Sequence, residues 1–310
     1  MDLSLSEERK MLQETVARFF ENNYKDIKKR SDYLALNDGF SREIWKESAD
    51  LGVISGLISP TFGGLGGTGE DISIIFELIG KSLCIEPYLS SGILSSTILS
   101  SIKNPKTELI NQIIDGELLI SFAHMEMNNR YEDHFVETKA FLEDDNWKLN
   151  GSKSFVINGD SADKVIVSAR IDGEINDKNG IGLFLVDNNH ITRRSYNTID
   201  GYKAAEQNFD NINGELLCKD DLALECIIKS NSAGALALSA EAVGIMQICF
   251  DLTLEYLKTR KQFGKSIGAF QSIQHRMVDM MLEIEQVRSA VMLASSTFET
   301  NSSTRDKNVS

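Results

Sequence analysis

At roughly 150 residues per domain, 310 residues leave room for about two domains, and a chain with 42% hydrophobic and 25% charged residues is not wholesale disordered. Lysine and arginine number 32 against 46 aspartates and glutamates, a formal net charge of −14 with no dense basic tract to offset it; this excludes a sequence-independent nucleic-acid binder. No apolar run approaches the ~20 residues that span a bilayer, and the acidic start MDLSLSEERK is the opposite of a basic secretory n-region.

The first territory, residues 1–116, reads as an α-helical domain. Ser6 is placed to cap a helix whose first turn carries Glu7 and Glu8, and Leu12, Val16, Phe19 and Phe20 form an apolar stripe at helical spacing. A second amphipathic run surrounds Ile44, Trp45 and Leu51, and a third covers 72–83. Pro60, the glycines of 63–69, Pro87 and Pro105 interrupt the pattern. In residues 117–222 the period changes to short β-branched runs at 136–142, 147–150, 163–169 and 181–186, with Asp144-Asp-Asn146 as a turn. That predicts an antiparallel barrel or sandwich instead of a βαβ sheet. Residues 223–310 return to helix. The stretch 233–257 is apolar nearly all round, as in a helix buried within a bundle. A second helix is expected from Phe270 to about Ser295, followed by a polar tail. Two helices cannot bury so much apolar surface between themselves, so the bundle reads as incomplete.

Two signals for other chemistries weaken on inspection. Gly64-Leu-Gly66-Gly-Thr-Gly69 matches GxGxxG, the dinucleotide fingerprint, but it follows a helix end and a Pro-broken loop, not a buried strand. A loop between helices fits it better. Cys84, Cys218, Cys226 and Cys249 are far apart and fit no CxxC spacing, and the four histidines form no ligand cluster. They predict reduced thiols, a cytoplasmic protein and no metal.

Four segments then carry a family resemblance: LGVISGLISPTFGGLGG (51–67), GELLISFAHMEM (116–127), WKLNGSKSFVINGDSAD (147–163) and, most specific, YLKTRKQFGKSIGAFQSIQHRMVDM (256–280). Together, and in this order, they resemble the FAD-dependent acyl-CoA dehydrogenases. The NRYEDH (129–134), GDSAD (159–163) and AEAVG (240–244) stretches further resemble the small subunits of pimeloyl-CoA dehydrogenase-like pairs. The resemblance implies an α+β fold: N-terminal α-helical domain, middle antiparallel β-barrel and C-terminal helical bundle, the last apparently truncated.

It also implies site residues. Arg260 matches an arginine that binds the FAD pyrophosphate of a neighbouring subunit, work suited to a planar guanidinium. Phe263 and Gln271 match positions beside that cofactor. Phe122 and Met125 fall on the strand at the flavin edge, and Phe155 and Ile157 on the segment behind the ring. Met125 and Ile157 stand where hydroxyl side chains are usual, so two side-chain hydrogen bonds are lost. The implied reaction is α,β-dehydrogenation of an acyl-CoA, with electrons passed to an electron-transfer flavoprotein by a homo- or hetero-oligomer. A desolvated carboxylate would take the α-proton. One family position for it corresponds to Gly234, which cannot serve, and another lies on a helix later than residue 310. Glu241 is the one acid within 233–250, about two turns or ~10 Å from Gly234 on roughly the same face. It is either the base, a polar contact at the substrate end, or a structural partner of Arg276 or Arg288. Two alternatives stand beside dehydrogenation: a non-catalytic subunit that completes the FAD site of a partner, and an acyl-CoA oxidase or flavin monooxygenase on the same fold.

Overall fold

A computed structural model describes residues 6–129, 131–300 and 302–309. The first five residues, Arg130 of the NRYEDH stretch, Asn301 and Ser310 lie outside the described residues. In chain order the helices are α1 (Glu7–Tyr24), α2 (Ile27–Leu34), α3 (Arg42–Asp50), α4 (Gly69–Ser82), α5 (Ser96–Ser101), α6 (Thr107–Ile114), α7 (Asp221–Thr259), α8 (Gln271–Ser296) and α9 (Ser302–Val309). Between α6 and α7 run strands β1 (Ile120–Ala123), β2 (Lys139–Glu143), β3 (Asn146–Ile157), β4 (Lys164–Arg170), β5 (Ile181–Asp187), β6 (Thr192–Asn197) and β7 (Lys203–Lys219). A small hairpin, β8 (Lys261–Gln262) and β9 (Lys265–Ser266), separates α7 from α8. The chain packs as two compact units.

The helical unit comprises Met1–Lys25, Thr68–Cys84 and Ala235–Ser310. Ser6 caps α1 as expected, accepting from the Arg9 N–H, and Val16, Phe19 and Phe20 are buried. Thr68 and Asp71 form a reciprocal capping box at the start of α4. Arg9 donates to Asp71 at 2.8 Å and to Thr68 Oγ1 at 3.0 Å, and also pairs with Glu70. Helices α4 and α7 cross at backbone distance through two glycines. A Cβ on Gly80 would stand 2.0 Å from the Glu241 carbonyl oxygen, and one on Gly244 would stand 2.0 Å from that of Glu77.

α7 departs from the expected buried helix. Leu238, Ile245, Leu252 and Tyr256 are exposed, as are Val278, Met281, Leu282 and Leu293 on α8. α7 also corrects the run-length reading. By length and composition it is apolar enough to cross a bilayer, and only 39% of its most apolar window is buried. Part of the expected polar tail is helical, as α9.

The β unit comprises Asp26–Gly67 and Ile85–Gly234. Its sheet closes into a ring: β4 pairs β5, β5 pairs β7, β7 pairs β3, β3 pairs β2, and β2 returns to β4 through Lys139 and Arg170. Ala123, Ala140, Leu149, Val156, Val167, Phe184 and Phe209 fill the inside. The barrel is not wholly antiparallel. The β2–β4 closure and the added strand β1 pair with β4 in parallel, because each reaches β4 by a crossover and not by a hairpin. The predicted turn is a tight hairpin in which Asp144 and Asp145 have φ of 47° and 62° between the paired Glu143 and Asn146, the twist-matched type. Leu51, expected on the buried face of its helix, is the exposed C-cap of α3. Cys218 and Cys226, set on β7 and α7, are both buried free thiols that influence one another's ionisation.

Candidate active site

β1 alternates its side chains. Ala123 enters the barrel core while Phe122 and, one residue past the strand end, His124 stand on the outer face. β3 carries an extra residue between Lys153 and Val156 relative to β7. Such a bulge re-aims the side chains beside it. Val156 faces the core, Phe155 bridges to Met125, and the Ser154 N–H donates to the Met125 carbonyl at 2.9 Å. A π-helical turn, Tyr88–Ser95, contributes Ser90 and Leu94. These elements enclose a mostly apolar cavity of about 340 Å³.

Phe122, Met125, Phe155 and Ile157 all line this cavity, so two distant segments of the sequence meet there. Ser90, Leu94, His124, Glu132, Asp133 and Asn231 also line it, and sequence reasoning missed them. Asn231 donates to Asp133 at 2.6 Å and Ser90 to Asn158 at 2.9 Å. His124 carried one signal, as a lone imidazole inside an apolar run.

Behind the cavity wall lies a buried polar network. Lys153, with no solvent exposure, donates to Glu126 at 2.6 Å, to Ser168 Oγ at 3.0 Å and to the His124 carbonyl at 3.2 Å. Glu126 also accepts from the Glu137 N–H at 2.6 Å, the Thr138 N–H at 3.0 Å and the Thr138 hydroxyl at 2.7 Å. Burial works to raise the Glu126 pKa, but the Lys153 charge and these donors outweigh it and hold the carboxyl below its ordinary value. His124 stacks on Phe122, with centroids 5.6 Å apart and planes 4° apart, and its Nδ1 lies 2.9 Å from Ser168 Oγ. Burial first, then the Lys153 charge, push its pKa down to about 3, so the ring is neutral. Arg170 donates to the carbonyls of His134, Ile175, Asp177 and Asn179, pinning the loop before β2 to the loop before β5.

The other three expected cofactor residues belong to the helical unit and sit on the surface. Arg260 directly follows α7, Phe263 (90% exposed, φ 51°) turns the hairpin, and Gln271 opens α8. Phe263 packs edge-on against Phe270, over which Lys265 Nζ sits at 4.3 Å.

Glu241 is also in the helical unit. It is half-buried at the α4–α7 crossing and not deeply buried as its apolar neighbours suggested. Of its two expected partners, Arg288 donates to both Glu77 oxygens at 2.9 Å and to Gln247 at 3.1 Å, and Arg276 is exposed. Glu77, Lys81, Gln247 and Arg288 border a second cavity of about 550 Å³, where their polar ends satisfy one another. At Gly234, an added Cβ would stand 2.8 Å from Leu94 Cδ2, so any side chain there must displace a cavity-lining leucine. The GxGxxG segment cannot cradle a phosphate. The N–H groups of Leu65, Gly66 and Gly67 are spent on the carbonyls of Ser55, Ile58 and Gly56 at 2.8–3.1 Å. Among the described residues no three His, Cys, Asp or Glu side chains gather as metal ligands.

Comparison with known proteins agrees with this architecture. The models for the N-terminal, middle and C-terminal domains of acyl-CoA dehydrogenases match residues 6–108, 121–212 and 225–309. The mitochondrial long-chain specific acyl-CoA dehydrogenase of Sus scrofa is 28% identical over 301 residues, covering 92% of this chain and 69% of its own. The short-chain specific enzyme of Clostridium acetobutylicum is 26% identical over 310 residues, covering 95% and 80%. Among solved structures, an FAD complex of PigA superposes with a TM-score of 0.88 at 23% identity, covering 100% of this chain and 84% of its own. The ChsE4–ChsE5 complex from Mycobacterium tuberculosis gives 0.84 at 21%, covering 100% and 83%. With all three of its domains matched, the chain belongs to the acyl-CoA dehydrogenase family.

Proposed function

We propose that the protein takes part in FAD-dependent α,β-dehydrogenation of an acyl-CoA, passing electrons to an electron-transfer flavoprotein. The observation that carries this reading is the cavity lined by Phe122, Met125, Phe155 and Ile157, two aromatic and two aliphatic walls. At about 340 Å³ it is near the lower end for ligand cavities, with room for a planar ring but not for a dinucleotide. Bound flavin would supply the hydride acceptor; the chain's residues orient its ring and keep water from it. Exposed Arg260 and Phe263 suit a diphosphate held across a subunit boundary. The apolar surfaces of α7 and α8 suit oligomerisation, with a copy or with a second family member as in pimeloyl-CoA-type pairs.

A second reading has its own support. Gly234 brings no carboxylate to one of the family's positions for the base, which favours a non-catalytic subunit that completes a partner's FAD site. One experiment separates the two. The protein is purified with FAD, alone and co-expressed with a neighbouring family member, and titrated anaerobically with acyl-CoAs of several chain lengths. Bleaching by the chain itself supports dehydrogenation; flavin retained only in the pair, and lowered by Arg260→Ala, supports the subunit role. A preparation that stays colourless in every combination overturns both.

A further inference from the structure

The polarity of the buried network determines what His124 offers to the cavity. Lys153 Nζ has three acceptors within hydrogen-bond distance: Glu126, Ser168 Oγ and the His124 carbonyl. Three acceptors use three N–H bonds, so Lys153 is an ammonium and Ser168 Oγ accepts from it. The hydroxyl hydrogen of Ser168 then points away from Lys153, and its neighbour on that side is His124 Nδ1, at 2.9 Å. In the arrangement that leaves no buried hydroxyl unspent, Ser168 donates and Nδ1 accepts. A neutral imidazole whose Nδ1 accepts carries its proton on Nε2. Nε2 is buried and without a protein partner, in a residue 6% exposed that lines the cavity. An unpaired buried N–H is costly unless something bound there accepts from it.

We infer that His124 is a donor of fixed direction, its Nε2–H hydrogen-bonding an acceptor atom of the ring ligand that occupies this cavity. This rests on the flavin reading and deepens it. The side-chain donors missing at Met125 and Ile157 are replaced by one reaching the cavity from the next position on the same stretch of chain. The relay Lys153–Ser168–His124 spends the acceptor nitrogen Nδ1 on Ser168 and leaves Nε2–H for the cavity, so the site selects a carbonyl oxygen or ring-nitrogen lone pair over a cationic or N–H-bearing group at that point.

NMR of the full-length protein with nitrogen-labelled histidine, His124 being identified by its loss in His124→Phe, reads the tautomer directly. The expected result is Nε2–H with an unprotonated Nδ1, and a shift of the Nε2–H resonance when FAD is added in the assembly that binds it. His124→Phe should weaken FAD binding about five- to tenfold, the loss of one hydrogen bond. His124→Gln, which keeps a donor, should restore most of that, and Ser168→Ala should mix the tautomers. An Nδ1–H resonance overturns the inference. So does FAD that binds without moving the Nε2–H signal and with unchanged affinity in His124→Phe. Failure of the functional reading looks different: no flavin binds to the wild-type protein in any assembly, whichever tautomer is seen, and the ligand assignment falls with it.

Discussion

Acid should destabilise the β unit through His124 in particular. The folded pKa of the ring is about 3, against 6.5 for the unfolded residue. Above 6.5 the ring is neutral in both states and carries no penalty. Between 6.5 and about 3 the unfolded chain binds a proton that the folded chain refuses, so stability falls as pH falls. Each pH unit in that window costs about 1.4 kcal/mol, so going from about pH 7.5 to about pH 5 should cost roughly 2 kcal/mol through this residue alone. The sequence has two tryptophans, Trp45 and Trp147, and both lie in the β unit, so their fluorescence during urea unfolding follows that unit. His124→Phe preserves the stack on Phe122 and abolishes the titration. It should shed about 2 kcal/mol of the acid sensitivity of the wild type while keeping whatever the carboxylates contribute to both. Equal losses in the two proteins between those pH values would refute the argument, because another group would then be responsible.

Three further outcomes follow from the packing. Lys153→Met leaves Glu126 buried without its cation and should cost about 3–5 kcal/mol, and adding Glu126→Gln should recover part of it, both read by urea unfolding. Gly244→Ala gains about 1 kcal/mol of helix propensity but drives a Cβ to 2.0 Å from the Glu77 carbonyl oxygen. Overpacking costs of about 1–3 kcal/mol or more should make it a net loss, measurable by circular dichroism during denaturation. Arg170→Met removes four hydrogen bonds to backbone carbonyls and should speed amide exchange in residues 131–136 and 172–180 while leaving β3 and β7 protected.

The three-territory order and most strand positions were legible in the sequence because period and turn residues are local signals. The Asp144–Asp145 turn and the α4 run both carry theirs within a few residues. Misreadings came where a partner far along the chain decides the outcome. The exposure of Leu238 and Leu252 depends on which helices lie beside α7, and nothing in 233–257 encodes that. Glu241 looked buried because its neighbours are apolar, yet an apolar helix has a wet side when few helices surround it. Parallel pairing of β1 with β4 follows from chain crossovers that strand composition does not record. At the cavity the family pattern marked Phe122, Met125, Phe155 and Ile157, but His124 stayed hidden. Its meaning depends on Ser168 and Lys153, which reach it only after the barrel has closed.

The paired glycines where α4 meets α7 set these rods at a single axial offset. Gly80 rests on the Glu241 carbonyl and Gly244, about one turn along, on that of Glu77. Slip by one residue in either direction would press Val243 or Ile245 against backbone that admits no side chain, so the contact behaves as a bolt and not as a slide bearing. Any rearrangement on partner docking must therefore carry both rods together, and distance labels on α4 and on the adjoining half of α7 should keep a constant separation whatever else moves.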